Sequence, residues 1–284
     1  MKWSIPAKTF LVGEYAALAG APAIILTTTP CFEVTLSNDP GMQGIHPESP
    51  AGRLWAAFGD KTQGLAWFDP YAGCGGLGAS SAQFVGTYAA INNLQTKTFN
   101  KDALLNCYFN YGWQGTGLRP SGYDVLAQSM SGCAYINKEF ERCQSMSWPF
   151  LDIAFLLLHT GKKLATHEHL QAAELPYQID RLAIIVDDAK KAFELNSSTA
   201  LVEAVNAYHQ QLLKMKLVAS HSQDSIEQLE SQSDILAIKG CGAMGADVLL
   251  LIVPSLRLDM LRKQFSNEGW RILATSDDLS AVQQ

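Results

Sequence analysis

Three glycine-bearing stretches, each running directly into an apolar segment, constrain this chain more than any other feature. The first is GGLGASSA at 75–82, which opens a run of small and apolar residues (Ala82, Val85, Ala89, Ala90, Leu94) suited to a buried helix. The second is GWQGTGLRPSGYD at 112–124, followed by VLAQSMSGCAYIN, which reads as helix and then strand. The third is KGCGAMGADVLLLIV at 239–253, a turn feeding a strand too apolar for a sheet edge. Glycine-rich turns leave backbone N–H groups free to converge on one point, and a following helix adds its partial positive charge. GGLGASSA therefore has two readings: a serine-capped tight turn, or a cradle for phosphate. It has neither the GK[ST] of a P-loop nor G-x-G-x-x-G spacing, so any neutralising cation must come from elsewhere.

Around these loops the sequence alternates irregularly between strand and helix patterns. Thr9–Val12, Ala23–Leu26 and the alternating CFEVTLS at 31–37 read as strands. Short helices are predicted from Arg53 and over Asp102–Tyr111, and Trp67–Gly78 reads as turn. Leu151–Leu158 is a continuous apolar strand, with the domain junction placed just after it. LAIIVDDAKKAFEL and TALVEAVNAYHQQLLKMKLV read as helices, the second with Leu201, Val205, Tyr208, Leu212 and Met215 on one face. Leu256–Phe265 reads as a closing helix and WRILAT as a closing strand. No βαβ repeat emerges, so the expected class is α+β, with domains at 1–160 and 161–284.

Composition removes several function classes. A net charge of −6 and the absence of any Lys/Arg-dense run argue against a nucleic-acid partner. Glu14 and Pro22 interrupt FLVGEYAALAGAPAIIL at 10–26, which reads as strand, turn and strand rather than a membrane span or a signal peptide. The six cysteines form no CxxC pair, which fits a reducing, cytoplasmic setting without a disulfide framework. HEH at 167–169 lacks the i, i+4 spacing of a helical metal pair.

Three charged residues have chemistry to offer. Lys8 lies among apolar strand residues, where an unpaired ammonium is costly to bury, although a snorkelling surface lysine fits equally. Glu14 is similarly set. Asp124, just after Pro-Ser-Gly, is either a helix cap or a carboxylate at a loop mouth able to accept a proton from an alcohol.

In order and type, PAKTFLVGEYAALAG, GLGASSA (with Pro70 upstream), SGYD and KGCGAMGAD resemble the motifs of the GHMP kinases, over residues 5 to 253. The resemblance implies a two-domain α+β fold using ATP and Mg2+. Gly76, Leu77, Gly78, Ala79, Ser80 and Ser81 would hold the nucleotide phosphates, with Ser80 toward the metal. Asp124 and Lys8 would be the catalytic pair. Glu14, Ser121, Gly122, Lys162, Gly242 and Ala243 would line the substrate. GEY, SGYDV and LLLHTGKKLATHEHL are most similar to the family's phosphomevalonate-phosphorylating branch, with mevalonate as the alternative acceptor. Arg119, Lys162 and Lys163 supply cations near these loops for a phosphorylated acid, or are ordinary solvated charge. No acidic residue lies between Asp102 and Asp124, unlike the mevalonate kinase pattern, and Gln114 is the nearest polar stand-in. Ala7, Ala79, Met244 and Ala246 depart from the family's usual residues, which keeps open a reading as a nucleotide- or metabolite-binding module without turnover. Nothing in the pattern specifies an oligomeric state.

Overall fold

The computed structural model describes residues 1–113, 115, 117–161, 179–232 and 234–281. Two antiparallel-dominated sheets organise them. The first runs β3 (Gly41–Gln43), β4 (Gly64–Phe68), β2 (Ala23–Ser37), β5 (Cys133–Asn137), β6 (Arg142–Met146), with β1 (Lys2–Val12) paired along β2. The second runs β10 (Arg271–Thr275), β7 (Ile153–His159), β9 (Val248–Pro254), β8 (Ala237–Cys241). The chain passes from one sheet to the other between Met146 and Ile153, so the apolar strand at 151–158 belongs to the second sheet.

The uninterrupted apolar run of β9 has a direct cause: both faces of its sheet are covered. Side chains alternate across a strand, so Val248, Leu250 and Ile252 enter the main core, while Leu249, Leu251 and Val253 enter a second one. The main core is closed by α5 (Ile179–Leu195) and α6 (Ser198–Lys214), through residues such as Val186, Val205 and Leu212. The second is closed by α7 (Ser220–Glu230) and α8 (Leu258–Asn267), through Ile226, Leu229, Leu261 and Phe265. Of the predicted face, Leu201, Val205, Tyr208 and Leu212 are buried in α6, while Met215 falls at its C-cap and is only partly buried.

Against the first sheet lie α2 (Ala79–Leu94) and α4 (Tyr123–Gln128), with α1 (Pro50–Phe58) and α3 (Lys101–Gly112) packed on those helices. α1 starts earlier than the pattern from Arg53 predicts, because the Ser49 side chain accepts from Gly52 N and Pro50 suits the first turn. β4 replaces part of what reads as turn, since GLAWF pairs with β2 from Gly64 to Phe68. The expected α+β class holds. No helix among the described residues is long and apolar enough to cross a membrane.

Candidate active site

The first glycine stretch seals the free edge of β1. Lys8 N donates to Leu77 O at 3.0 Å, so the loop before α2 behaves as a short extra partner for the strand that carries Lys8. Gly78 then begins α2 in the left-handed region (φ 80°), without any side-chain cap. A β-carbon at Gly78 would lie 2.8 Å from Lys8 Cγ and 2.9 Å from Gln128 Nε2, so glycine is required by both backbone and space. The first N–H groups of the 16-residue helix are thus left without a cap from the chain itself.

The two serines separate cleanly. Ser81 is buried, and its hydroxyl donates to Gly78 O at 2.9 Å, holding the turn together. Ser80, next to it, is exposed. Gln128, at the end of α4, ties the loop to the strand: its amide nitrogen donates to Pro6 O at 2.9 Å and Gly78 O at 3.1 Å. Sequence pattern alone holds no signal for Gln128.

Lys8 is no snorkelling surface residue. It is 7% exposed, and its Nζ lies 3.0 Å from Asp124 Oδ2 and 5.0 Å from the Phe10 ring centroid. Asp124 occupies the first turn of α4 after the left-handed Gly122 (φ 76°), and its carboxylate remains about one-third exposed (36%). A charged pair of this kind, desolvated on the lysine side and open on the carboxylate side, orients Asp124 while leaving an oxygen for a partner. Burial and the Asp124 charge both push the adjacent Tyr108 hydroxyl above its ordinary pKa, which holds it neutral. Ser121 accepts from Tyr123 N at 3.3 Å, shaping the entry to α4.

Glu14 lies apart from this open pair. It is buried and ion-paired with Lys239, itself fully buried on β8. Lys239 also donates to Phe10 O (3.4 Å) and Cys241 Sγ (3.3 Å), and Tyr208 OH donates to Glu14 O at 2.6 Å. Burial pushes the Glu14 carboxyl up against the opposing pull of Lys239. Burial works against the lysine's charge, but Cys241 and Glu14 outweigh it and raise its pKa. The Cys241 thiol is pushed up to about 11, chiefly by burial. Lys239 is a residue that sequence reasoning passed over, although it heads KGCGAMGAD.

The third glycine stretch meets the first around Asp247. A β-carbon at Gly75 would fall 2.7 Å from Asp247 Oδ1, and one at Gly242 (φ 93°) 2.9 Å from Oδ2. The buried aspartate is thus wedged between the two loops. Met244 adopts φ 54°, so the left-handed geometry persists without glycine, steadied by its N–H donating to Tyr15 OH at 3.0 Å. Burial pushes the Tyr15 hydroxyl up to about 12. Ala243 lies in the same turn. Lys162, Lys163, Gln114 and the HEH at 167–169 lie outside the described residues.

The arrangement of two sheets with α2 behind a glycine loop has the fold shared by the GHMP kinases. Three solved structures match nearly the whole chain: phosphomevalonate kinase of Streptococcus pneumoniae in complex with phosphomevalonate and AMPPNP (16% identity, 97% of this chain and 99% of that chain, TM-score 0.76), mevalonate kinase of Methanococcus jannaschii (16%, 99% and 98%, 0.74), and galactokinase of Lactococcus lactis complexed with galactose (13%, 99% and 93%, 0.72). No family profile and no curated relative matches the sequence.

Proposed function

We propose that this protein is a small-molecule kinase that transfers the γ-phosphoryl group of ATP to the hydroxyl of a phosphorylated acid, phosphomevalonate. The observation that carries the reading is the Lys8–Asp124 pair, 3.0 Å apart, held by Gly78 beside the uncapped start of α2. Phosphoryl transfer asks mainly for alignment and neutralisation of negative charge, which this set of groups supplies.

The roles follow from exposure and charge. The N–H groups at 79–81 and the hydroxyl of Ser80 face the nucleotide phosphates, while Ser81 maintains the turn that presents them. The glycines at 75, 76 and 78 let the loop close tightly on Asp247, Val248, Lys8 and Gln128, which fixes the course of the cradle. Asp124 accepts the proton of the acceptor hydroxyl, and Lys8 orients that carboxylate and offsets charge developing on the transferred group. Ser121 and Gly122 border the acceptor. Gly242 and Ala243 border the cradle from the third loop.

The donors present fit a Mg2+ carried by the nucleotide rather than one caged by protein. The described residues contain no cluster of three His, Cys, Asp or Glu side chains, while Ser80 offers an exposed hydroxyl at the cradle. When bound, Mg2+ would supply further neutralisation of the phosphate charge. Glu14 is buried and ion-paired with Lys239, so it is not an open substrate ligand.

Mevalonate is the second acceptor to consider, since the Methanococcus mevalonate kinase is as similar in fold as the phosphomevalonate kinase. A binding-only role is disfavoured by Met244, whose left-handed backbone preserves the third loop. Coupled ADP-release assays with phosphomevalonate, mevalonate, galactose and homoserine test the proposal. Turnover of phosphomevalonate is expected. Turnover of mevalonate alone would shift the acceptor, and ATP binding without any turnover would remove the kinase reading. Asp124→Asn is expected to lower kcat at least ~100-fold, the scale of a lost general base.

A further inference from the structure

One cationic recess, lined in part by the loop that leads into α4, has no part in the ion pairs among the described residues. It has a volume of about 490 Å³ and is bordered by Arg119, Ser121, Lys138, Glu139 and the backbone of Leu18–Gly20. Arg119 and Lys138 are directed at the same aromatic ring. The Arg119 guanidinium carbon lies 3.6 Å from the Phe109 centroid, and Lys138 Nζ lies 5.0 Å from it. Neither cation forms an ion pair among the described residues. Glu139 lines the recess without closing on either.

The recess is built rather than incidental. Lys138 is pinned at three points: its N–H donates to Tyr123 OH (3.1 Å) and to Gly20 O (3.1 Å), and its Nζ donates to Ser121 O (3.0 Å). Stacking on Phe109 fixes the plane of Arg119, leaving guanidinium N–H groups at its rim to meet an oxyanion. Half-burial and the Arg119 charge lower the Lys138 pKa, the signature of two cations held together without a counter-ion. An anion placed between them would relieve that repulsion and find donors from both.

We infer that the Arg119–Lys138 recess binds a phosphomonoester, the charged end of the acceptor whose hydroxyl lies at Asp124. The identity of that ligand rests on the kinase reading; the anion site itself does not. Ser121 lines the recess, and Asp124 follows three residues later, across the left-handed Gly122 that opens α4. A short acid phosphorylated at one end and bearing a hydroxyl at the other spans that interval. A planar guanidinium suits a dianionic phosphate through paired hydrogen bonds, and the ammonium adds a point charge.

Two measurements on the full chain test this separately from catalysis. Calorimetric titration with inorganic phosphate should show a binding event in the wild type that is lost or weakened at least tenfold in Arg119→Gln and in Arg119→Gln/Lys138→Gln. Glu139→Gln should bind phosphate more tightly. Arg119 is exposed, so its single variant keeps the fold even if removal of Lys138 loosens the turn. Identical isotherms, or no binding to the wild type at millimolar phosphate, would overturn the site whatever the protein turns over. In steady-state assays, Arg119→Gln should raise KM for phosphomevalonate at least tenfold while leaving KM for ATP within twofold. Mevalonate turnover, if present, should change less. A lost phosphate site with unchanged KM for phosphomevalonate would leave an anion site but overturn its assignment to the acceptor. Absence of turnover in the wild type, with the phosphate site intact, would count against the kinase proposal alone.

Discussion

At the scale of single residues, the molecule holds two charge pairs with opposite designs. Lys8–Asp124 opens to solvent on one side, and Glu14–Lys239 is closed on both. The second Glu14 oxygen, Oε2, is buried without a hydrogen-bond partner, so this pair is not fully satisfied even when intact. A buried ion pair adds little net stability, yet removing one member strands the other charge. Glu14→Leu is therefore expected to cost about 3–5 kcal/mol in denaturant unfolding, because it leaves the ammonium of Lys239 uncompensated. Glu14→Leu/Lys239→Met should be more stable than Glu14→Leu alone. A double variant as unstable as the sum of the singles would show that the two side chains act independently. Lys8 and Asp124 were legible as chemistry-bearing residues because a charge among apolar neighbours, and a carboxylate after a Pro-Ser-Gly turn, are local patterns. Glu14 carried the same local signal, but its partner lies 225 residues away, and no sequence window contains that pairing.

At the scale of elements, the organising device is the junction of β1, the glycine loop and α2. The strand edge accepts the loop through Lys8 N and Leu77 O, and the left-handed Gly78 turns the chain into a helix whose first turn is uncapped. Gly78→Ala should disrupt this junction in two ways. It places an L-residue at φ 80°, a cost of ~1–2 kcal/mol, and it drives a methyl group toward Lys8 Cγ. The expected result is a modest fall in stability with at least ~10-fold loss in kcat, about 1.4 kcal/mol of transition-state stabilisation, as Lys8 leaves Asp124. Normal kcat in a folded variant would show that the Lys8 position is not set by this contact. The long apolar strands and amphipathic helices could be read from periodicity: β9 is a run of large aliphatics, and α6 repeats every three or four residues. β6 was missed because RCQSM shows no alternation of burial, lying partly exposed at a sheet edge. α7 was missed because its apolar face reduces to Ile226 and Leu229 among polar residues.

At the scale of the whole molecule, the two sheets share one hydrophobic core. Leu26, Val34 and Leu65 of the first sheet belong to the same buried cluster as Phe155, Leu250 and Ile252 of the second. Polar ties reinforce the contact: Tyr208 OH donates to Glu14 O, Arg271 Nη2 to Tyr71 O at 2.9 Å, and Ser280 N to Thr27 O at 2.8 Å. Such a core couples the halves energetically, because side chains on either sheet lose partners when the other opens. The loops then meet at a site whose geometry depends on both halves, since Asp247 from the second sheet is wedged against Gly75 from the first half. Leu250→Ala, on the shared face of β9, provides the test. It should cost about 2–5 kcal/mol, as truncation of a fully buried leucine does. Under native-state hydrogen exchange, the most protected amides of β2 and those of β9 should lose the same opening free energy. Leu249→Ala faces the second core and provides the contrast, because its lost contacts lie with α7 and α8. Loss of protection confined to β9 and its neighbours in the Leu250 variant would mean that the sheets unfold as separate units, and that the glycine loops are brought together by docking rather than by a common core.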